Sequence, residues 1–205
     1  MKTKKFSTLL LAGLCCMTLA SGCGANGAAN PAENSAGETQ AGEEGNEGTE
    51  SEKETVGEFS TQDTEGETYT QEIFAEYDLT LVNVFTTWCS PCVNEIPDLE
   101  ELHNEMKEKG VNVVGIVLDA AGTAGNPDEE VVEKAKLLAE KTGATYPFLI
   151  PDASNFNGRL SGIAAVPETF FVDQDGNIVG ETYTGSRSLE EWKEIVETEL
   201  KGAGK

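Results

Sequence analysis

A chain of 205 residues has room for one ordinary domain of about 100–150 residues plus extensions. Its 14 basic and 37 acidic side chains give a formal net charge of −23, a surface that repels phosphate backbones, so nucleic acid is excluded as a partner.

The chain opens on what reads as an export signal. Lys2, Lys4 and Lys5 form a positive start, Phe6 to Ala20 is mostly apolar, and that run is too short for a spanning helix of the mature protein. It closes on Leu19-Ala20-Ser21-Gly22-Cys23, which resembles the lipobox of bacterial lipoproteins. The resemblance implies removal of residues 1–22, a lipid on Cys23, and attachment to the extracytoplasmic face of the cell membrane. Cys15 and Cys16 leave with the signal, so Cys89 and Cys92 alone remain as thiols. A bridge across two residues closes too small a loop to stabilise much, and the pair is read as chemistry rather than as a staple. Residues 23–58 form an acidic linker almost free of apolar side chains, expected to be disordered because it has too little to bury. About thirty-five residues of coil reach on the order of 30–35 Å, and the glutamates keep such a tether off an anionic lipid surface.

The folded domain is expected over 59–205. Thr68 to Thr70 reads as a short strand, Gln71 to Tyr77 as a helical turn, and Leu79 to Phe85 as a buried strand. A helix follows from about Pro91 to Lys109, with Cys92, Ile96, Leu99, His103 and Met106 on one face. Val111 to Leu118 is a second buried strand, and Asp128 to Lys141 a helix with a stripe of Val131, Ala135, Leu138 and Ala139. Tyr146 to Ile150 reads as a short strand, Ser154 to Leu160 as a short helix, and Thr169–Val172 with Ile178–Tyr183 as a hairpin around Asp173-Gln174-Asp175-Gly176. Ser188 caps a last helix, with Glu191 completing a capping box and Leu189, Trp192, Val196 and Leu200 facing inward. The order βαβα then ββα predicts an α/β fold with a central mixed β-sheet flanked by helices.

Trp88-Cys89-Ser90-Pro91-Cys92, placed after a buried strand and opening a helix, resembles the active site of thioredoxins. More narrowly, Cys89 to Pro97 resembles the membrane-anchored TlpA/ResA branch, in which a glutamate and a proline follow the second cysteine at the offsets of Glu95 and Pro97. Val166-Pro167-Glu168-Thr169-Phe170-Phe171-Val172-Asp173 resembles that family's cis-proline loop and the strand after it. The resemblance implies a thioredoxin-like fold and a thiol:disulfide oxidoreductase without a cofactor. In it Cys89 attacks, its thiolate favoured at a helix start, and the more buried Cys92 resolves the mixed disulfide. Trp88 and Pro91 shape the rim around the exposed sulfur. A cis Pro167 and the backbone of Val166 pair with an extended substrate segment. Where soluble thioredoxins carry a buried aspartate, this chain has Asn83, which cannot titrate. Glu95 is then the carboxylate placed to take the Cys92 proton, and the alternative is a solvent-exposed helix glutamate. Pro97 is expected to kink the helix.

The implied partners are oxidised exported proteins, apocytochrome c among the clients, with electrons from a membrane thiol carrier of the CcdA/DsbD type; a monomer is expected. Competing readings are a copper-binding or metal-delivery protein of the same fold and a thiol peroxidase. Copper-delivery proteins of the fold use a three-residue cysteine spacing and a distal histidine, whereas this chain has two intervening residues and no histidine after His103. A zinc site lacks a second CxxC or a spaced histidine pair, so no metal ligands are assigned, and the peroxidase reading lacks the proline-threonine setting of a peroxidatic cysteine.

Overall fold

The computed structural model describes residues 54–123 and 126–203. The export signal, Cys23 and the linker up to residue 53 lie outside the described residues.

Two strands form the spine. β3 (Leu79–Phe85) and β4 (Val111–Val117) are buried along all seven residues of each, as near-continuous apolar runs covered on both faces must be. They pair in parallel, Leu79 beside Val111 and Phe85 beside Val117. β6 (Glu168–Asp173) runs antiparallel on the other flank of β3, β7 (Ile178–Thr184) runs antiparallel to β6, and β5 (Phe148–Leu149) lies parallel to β4. The sheet order is β5-β4-β3-β6-β7. Because side chains alternate across a strand, Leu79, Leu81 and Phe85 face one way and Val82 and Val84 the other. The first face receives apolar residues of α1 (Ser90–Met106), α2 (Glu129–Thr142) and α3 (Leu189–Gly202). The mixed α/β sheet expected from the sequence is present.

The second face is closed differently from expectation. Val82, Val84, Val114, Ile116, Phe170 and Val172 meet Phe59, Phe74, Phe156 and Leu160, which come from loops and single turns. Over Ser154–Leu160 the expected helix is replaced by a left-handed turn, with φ of 53°, 52° and 56° at Asn155, Phe156 and Asn157. Asp152 is the cause. Its carboxylate accepts from the Ser154 amide and hydroxyl at 3.1 and 2.6 Å and from the Phe156 amide at 2.8 Å, a local alternative to helical bonding. Burial of Phe156, whose ring centroid lies 4.5 Å from that of Phe59, holds the turn in place.

The described residues before Phe59 are also tied to the sheet. Thr55 bridges Asn177, the buried Val56 donates its N–H to the Gly176 carbonyl at 3.0 Å, and Ile178 donates to the Glu54 carbonyl at 2.7 Å. β1 (Ser60–Gln62), too short and polar to be read from the sequence, pairs with β2 (Thr68–Thr70). Asp63 bridges Leu149, so this ribbon lies along the β5 edge and satisfies backbone groups there.

Local sequence accounts for the helix ends. Asp128 caps α2 by accepting from Glu130 and Val131 amides. Ser188 donates both its amide, at 2.9 Å, and its hydroxyl, at 2.7 Å, to the Glu191 carboxylate. α1 runs unbroken past Pro97 and buries Cys92, Glu95, Ile96, Leu99, Leu102 and Met106. Leu102 takes the inward place expected of His103, which is half-buried. In β7, Gly180 has φ 66°, and a Cβ there would collide with the Glu199 carboxylate. That buried carboxylate accepts from the Tyr183 hydroxyl at 2.7 Å and the Glu181 amide at 3.3 Å. Burial and then the Glu199 bond push the Tyr183 phenol up to about 12.

Candidate active site

β3 delivers the chain to the end of the sheet, and the loop that follows is pinned before the first cysteine. Asp119, just beyond β4, accepts from the Thr87 amide at 3.1 Å and from the Thr87 hydroxyl at 2.7 Å. Cys89 then caps α1. Its sulfur accepts from the Cys92 amide at 3.3 Å, so the helix start supplies a hydrogen bond and a positive dipole end where a Cys89 thiolate would carry its charge. Cys89 and Cys92 form a disulfide with Cα atoms 5.3 Å apart.

The two sulfurs are unequal in access. Cys92 is fully buried and Cys89 is 6% exposed, less than the open sulfur expected from the sequence. The difference comes from the segment before β6. The Val166–Pro167 peptide bond is cis, and the Val166 carbonyl oxygen lies 3.7 Å from Cys89 Sγ. Cys89 therefore opens on a groove of about 510 Å³ between Trp88 and Pro91 on one side and Ile163 and Val166 on the other, with Leu118 in its lining. Trp88 is 74% exposed at the rim. Trp88, Pro91 and Val166, singled out in the sequence, share this groove with Cys89, and Pro167 adjoins it.

Behind the disulfide lies a buried polar cluster. Glu95 is 2% exposed, so the solvent-exposed reading of this residue is corrected: α1 turns it toward the sheet and α3. Its Oε1 accepts from the Arg187 amide at 2.7 Å and the Trp192 indole N–H at 2.8 Å, and its Oε2 from the Asn83 amide at 3.3 Å. Asn83 also donates to Thr169 Oγ1 at 3.0 Å. Burial pushes the Glu95 carboxyl above the usual carboxylate range, against the lowering effect of these donors and of the Arg187 charge. The Arg187 guanidinium carbon lies 5.0 and 5.2 Å from the ring centroids of Tyr183 and Trp192, which touch edge to face, and the guanidinium donates to the Gly185 carbonyl. Trp192, Arg187 and Thr169 were not read as site residues. Trp192 showed in the sequence only as a core position of the last helix, and its separation of 97 residues from Glu95 leaves no local signal.

Among the described residues no cluster of three or more His, Cys, Asp or Glu side chains is placed to hold a metal ion. The arrangement is suited to two-electron chemistry between a sulfur bordering the groove and a fully shielded one, with a buried carboxylate one helical turn beyond the second.

The profile of the Redoxin family matches residues 50–196. The chain belongs to the Redoxin family. This redoxin is 29% identical over 110 residues to the thiol-disulfide oxidoreductase ResA of Bacillus thuringiensis, a match covering 54% of the chain and 57% of that relative. It is 28% identical over 132 residues to the thiol:disulfide interchange protein DsbE of Haemophilus influenzae, covering 64% of the chain and 65% of the relative. Its matches thus span less than two thirds of either relative. Among solved structures, a thioredoxin family thiol:disulfide interchange protein of Chlorobium tepidum superposes with a TM-score of 0.59 at 26% identity, over 72% of this chain and 97% of that one. StoA from Bacillus subtilis superposes with a TM-score of 0.52 at 23% identity, over 69% of this chain and 97% of that one. The redoxin therefore has the thioredoxin-like fold and is of the TlpA/ResA type.

Proposed function

We propose that this redoxin is an extracytoplasmic thiol:disulfide oxidoreductase, held at the membrane through Cys23, that reduces disulfides in exported proteins. The observation that carries the reading is the inequality of its two sulfurs: Cys89 caps a helix and opens on a groove, while Cys92 is sealed behind it.

In the reduced protein, the Cys89 thiolate attacks one sulfur of a substrate disulfide. The S–S bond breaks, a mixed disulfide forms, and one substrate thiolate leaves and takes a proton. Cys92 loses its proton and attacks Cys89 Sγ, the mixed disulfide breaks, and the second substrate thiolate departs. Two electrons pass to the substrate, and the Cys89–Cys92 disulfide remains. A dithiol, in the cell a membrane thiol carrier of the CcdA/DsbD type, returns the pair to its reduced form. An extended substrate segment lies in the groove against the backbone of Val166, and apocytochrome c is one client of suitable chemistry. Glu95 receives or relays the Cys92 proton.

The purified full-length chain, supplied with dithiothreitol, is expected to accelerate reduction of insulin disulfides, and Cys89→Ala to abolish the acceleration. Undiminished turnover in that variant would sink the mechanism.

A further inference from the structure

Glu168 follows the cis proline and opens β6, with its backbone paired to Val84 and Thr184. A carboxylate held largely out of water needs a partner. Arg159 supplies it, with Nη1 2.9 Å from Glu168 Oε1 and the two side chains 11% and 15% exposed. The guanidinium carbon sits 4.1 Å from the Phe170 ring centroid, and Nη2 lies 3.4 Å from Thr182 Oγ1. The arginine is thus fixed by a charge, a ring and a hydroxyl, an arrangement its planar fork suits better than a lysine would.

What the pair closes is the significant point. Arg159 and Glu168 are nine residues apart, and the segment between them holds the far wall of the groove, Ile163 to Val166, and the cis Pro167. That wall belongs to no helix or strand, and Ala164 and Ala165 are exposed. Its other fastenings are the buried Leu160 and Pro167, the partial burial of Ile163 and Val166 against the two cores, the Leu160 amide donating to the Asn155 carbonyl at 3.1 Å, and the Gly185 amide donating to the Pro167 carbonyl at 2.9 Å.

We propose that the Arg159–Glu168 pair is the positioning device of this wall, setting the Val166 backbone at the distance from Cys89 that an extended protein segment requires. The pair thereby favours protein disulfides over small ones and takes no part in the exchange of sulfurs. A small disulfide needs only the Cys89 sulfur, whereas a protein disulfide must also lie along Val166. The proposal rests on the oxidoreductase reading above.

The test compares turnover of insulin and of oxidised glutathione by the full-length chain with excess dithiothreitol. The variants are Arg159→Met, Glu168→Gln, Arg159→Lys and the double change Arg159→Met with Glu168→Met. Each charge-removing single variant is expected to raise KM for insulin roughly tenfold while leaving kcat and the glutathione rate within about twofold. Arg159→Lys should fall between wild type and Arg159→Met. The double variant, with no charge left uncompensated, should recover part of the loss and so show coupling between the two positions. If a single variant fails to fold, Arg159→Lys and the double variant carry the comparison. An unchanged KM for insulin, or parallel losses with both disulfides, would overturn the proposal and leave the pair as a fold support. Wild-type protein inactive on both disulfides would instead remove the oxidoreductase reading itself.

Discussion

Replacing Glu95 by glutamine removes a charge from the buried cluster while keeping its shape. A glutamine carbonyl oxygen can still accept from Arg187 and Trp192, now at 2.7 and 2.8 Å from Oε1. Its amide group then meets the Asn83 amide, donor against donor, until Asn83 turns over. Thr169 Oγ1, which accepts from Asn83 at 3.0 Å, has a hydroxyl hydrogen to give the turned oxygen, so the network can close again. Three charge-assisted hydrogen bonds become neutral ones, a gross loss of about 1 kcal/mol each. Against this stands relief from burying a carboxylate, the larger influence, since the Glu95 pKa lies above its ordinary value despite those donors. The net change in stability at pH 7 is therefore expected to stay below about 2 kcal/mol. Its pH dependence has a defined sign. A carboxyl whose pKa is raised on folding binds more protons when folded, so its contribution to stability is greatest when protonated and is lost as pH rises through the folded pKa. Urea melts of the oxidised proteins from about pH 4 upward should show wild type losing stability relative to Glu95→Gln and then a constant gap; the disulfide keeps the cysteines out of this titration. In the reduced protein Glu95 lies one turn from Cys92 on α1, where it can take the proton that Cys92 loses. Glu95→Gln should leave the first attack by Cys89 within about twofold but slow release of the mixed disulfide roughly a hundredfold. Stopped-flow tryptophan fluorescence across pH resolves both steps. Equal release rates with superimposable pH profiles, or a stability gap that moves the other way with pH, would refute the reasoning.

Cys92→Ser should accumulate stable mixed disulfides through Cys89, because attack proceeds without resolution; mass spectrometry of the adducts identifies clients, and adducts on Cys92 of a Cys89→Ser protein would reverse the two roles. Metabolic labelling with a fatty acid should mark the full-length protein, and Cys23→Ala should lose both the label and tight membrane association, since stable anchoring needs more than one acyl chain. Gly180→Ala should cost more than about 2 kcal/mol in urea melts, because the alanine would be strained at φ 66° and its Cβ would displace the Glu199 carboxylate. A change below about 0.5 kcal/mol would mean that Glu199 moves aside freely.

The parts of this molecule legible in its sequence are those where local chemistry and tertiary demand agree. β3 and β4 announce themselves as unbroken apolar runs because both their faces are covered, and α3 carries its cap and its stripe in adjacent residues. The CxxC at a strand-to-helix junction and the Val-Pro before β6 mark the two sides of the site. What was not legible is set at long range. β1 has three residues, one of them buried, and exists through its pairing with β2 and its place beside β5. The turn at Asn155–Asn157 depends on Asp152 and on the pocket that takes Phe156, so the short helix expected over Ser154–Leu160 does not form. Glu95 lies within one turn of Cys92 in sequence, but its burial is decided by Trp192 and Arg187, which arrive from α3 and the loop before it.

The clip between residues 54–56 and the β6–β7 turn fixes a direction for the whole domain. That turn pairs at the Leu79 end of β3, whereas Cys89 follows the Phe85 end, so the point where the chain enters lies about 20 Å along the sheet from the sulfurs. The described domain therefore has its chain entry and its redox groove at opposite ends of the sheet. Immobilised through the entry end, the domain presents its redox groove outward, and a pull at that end is first borne by the Thr55–Asn177 bridge rather than by the strands that carry the cysteines.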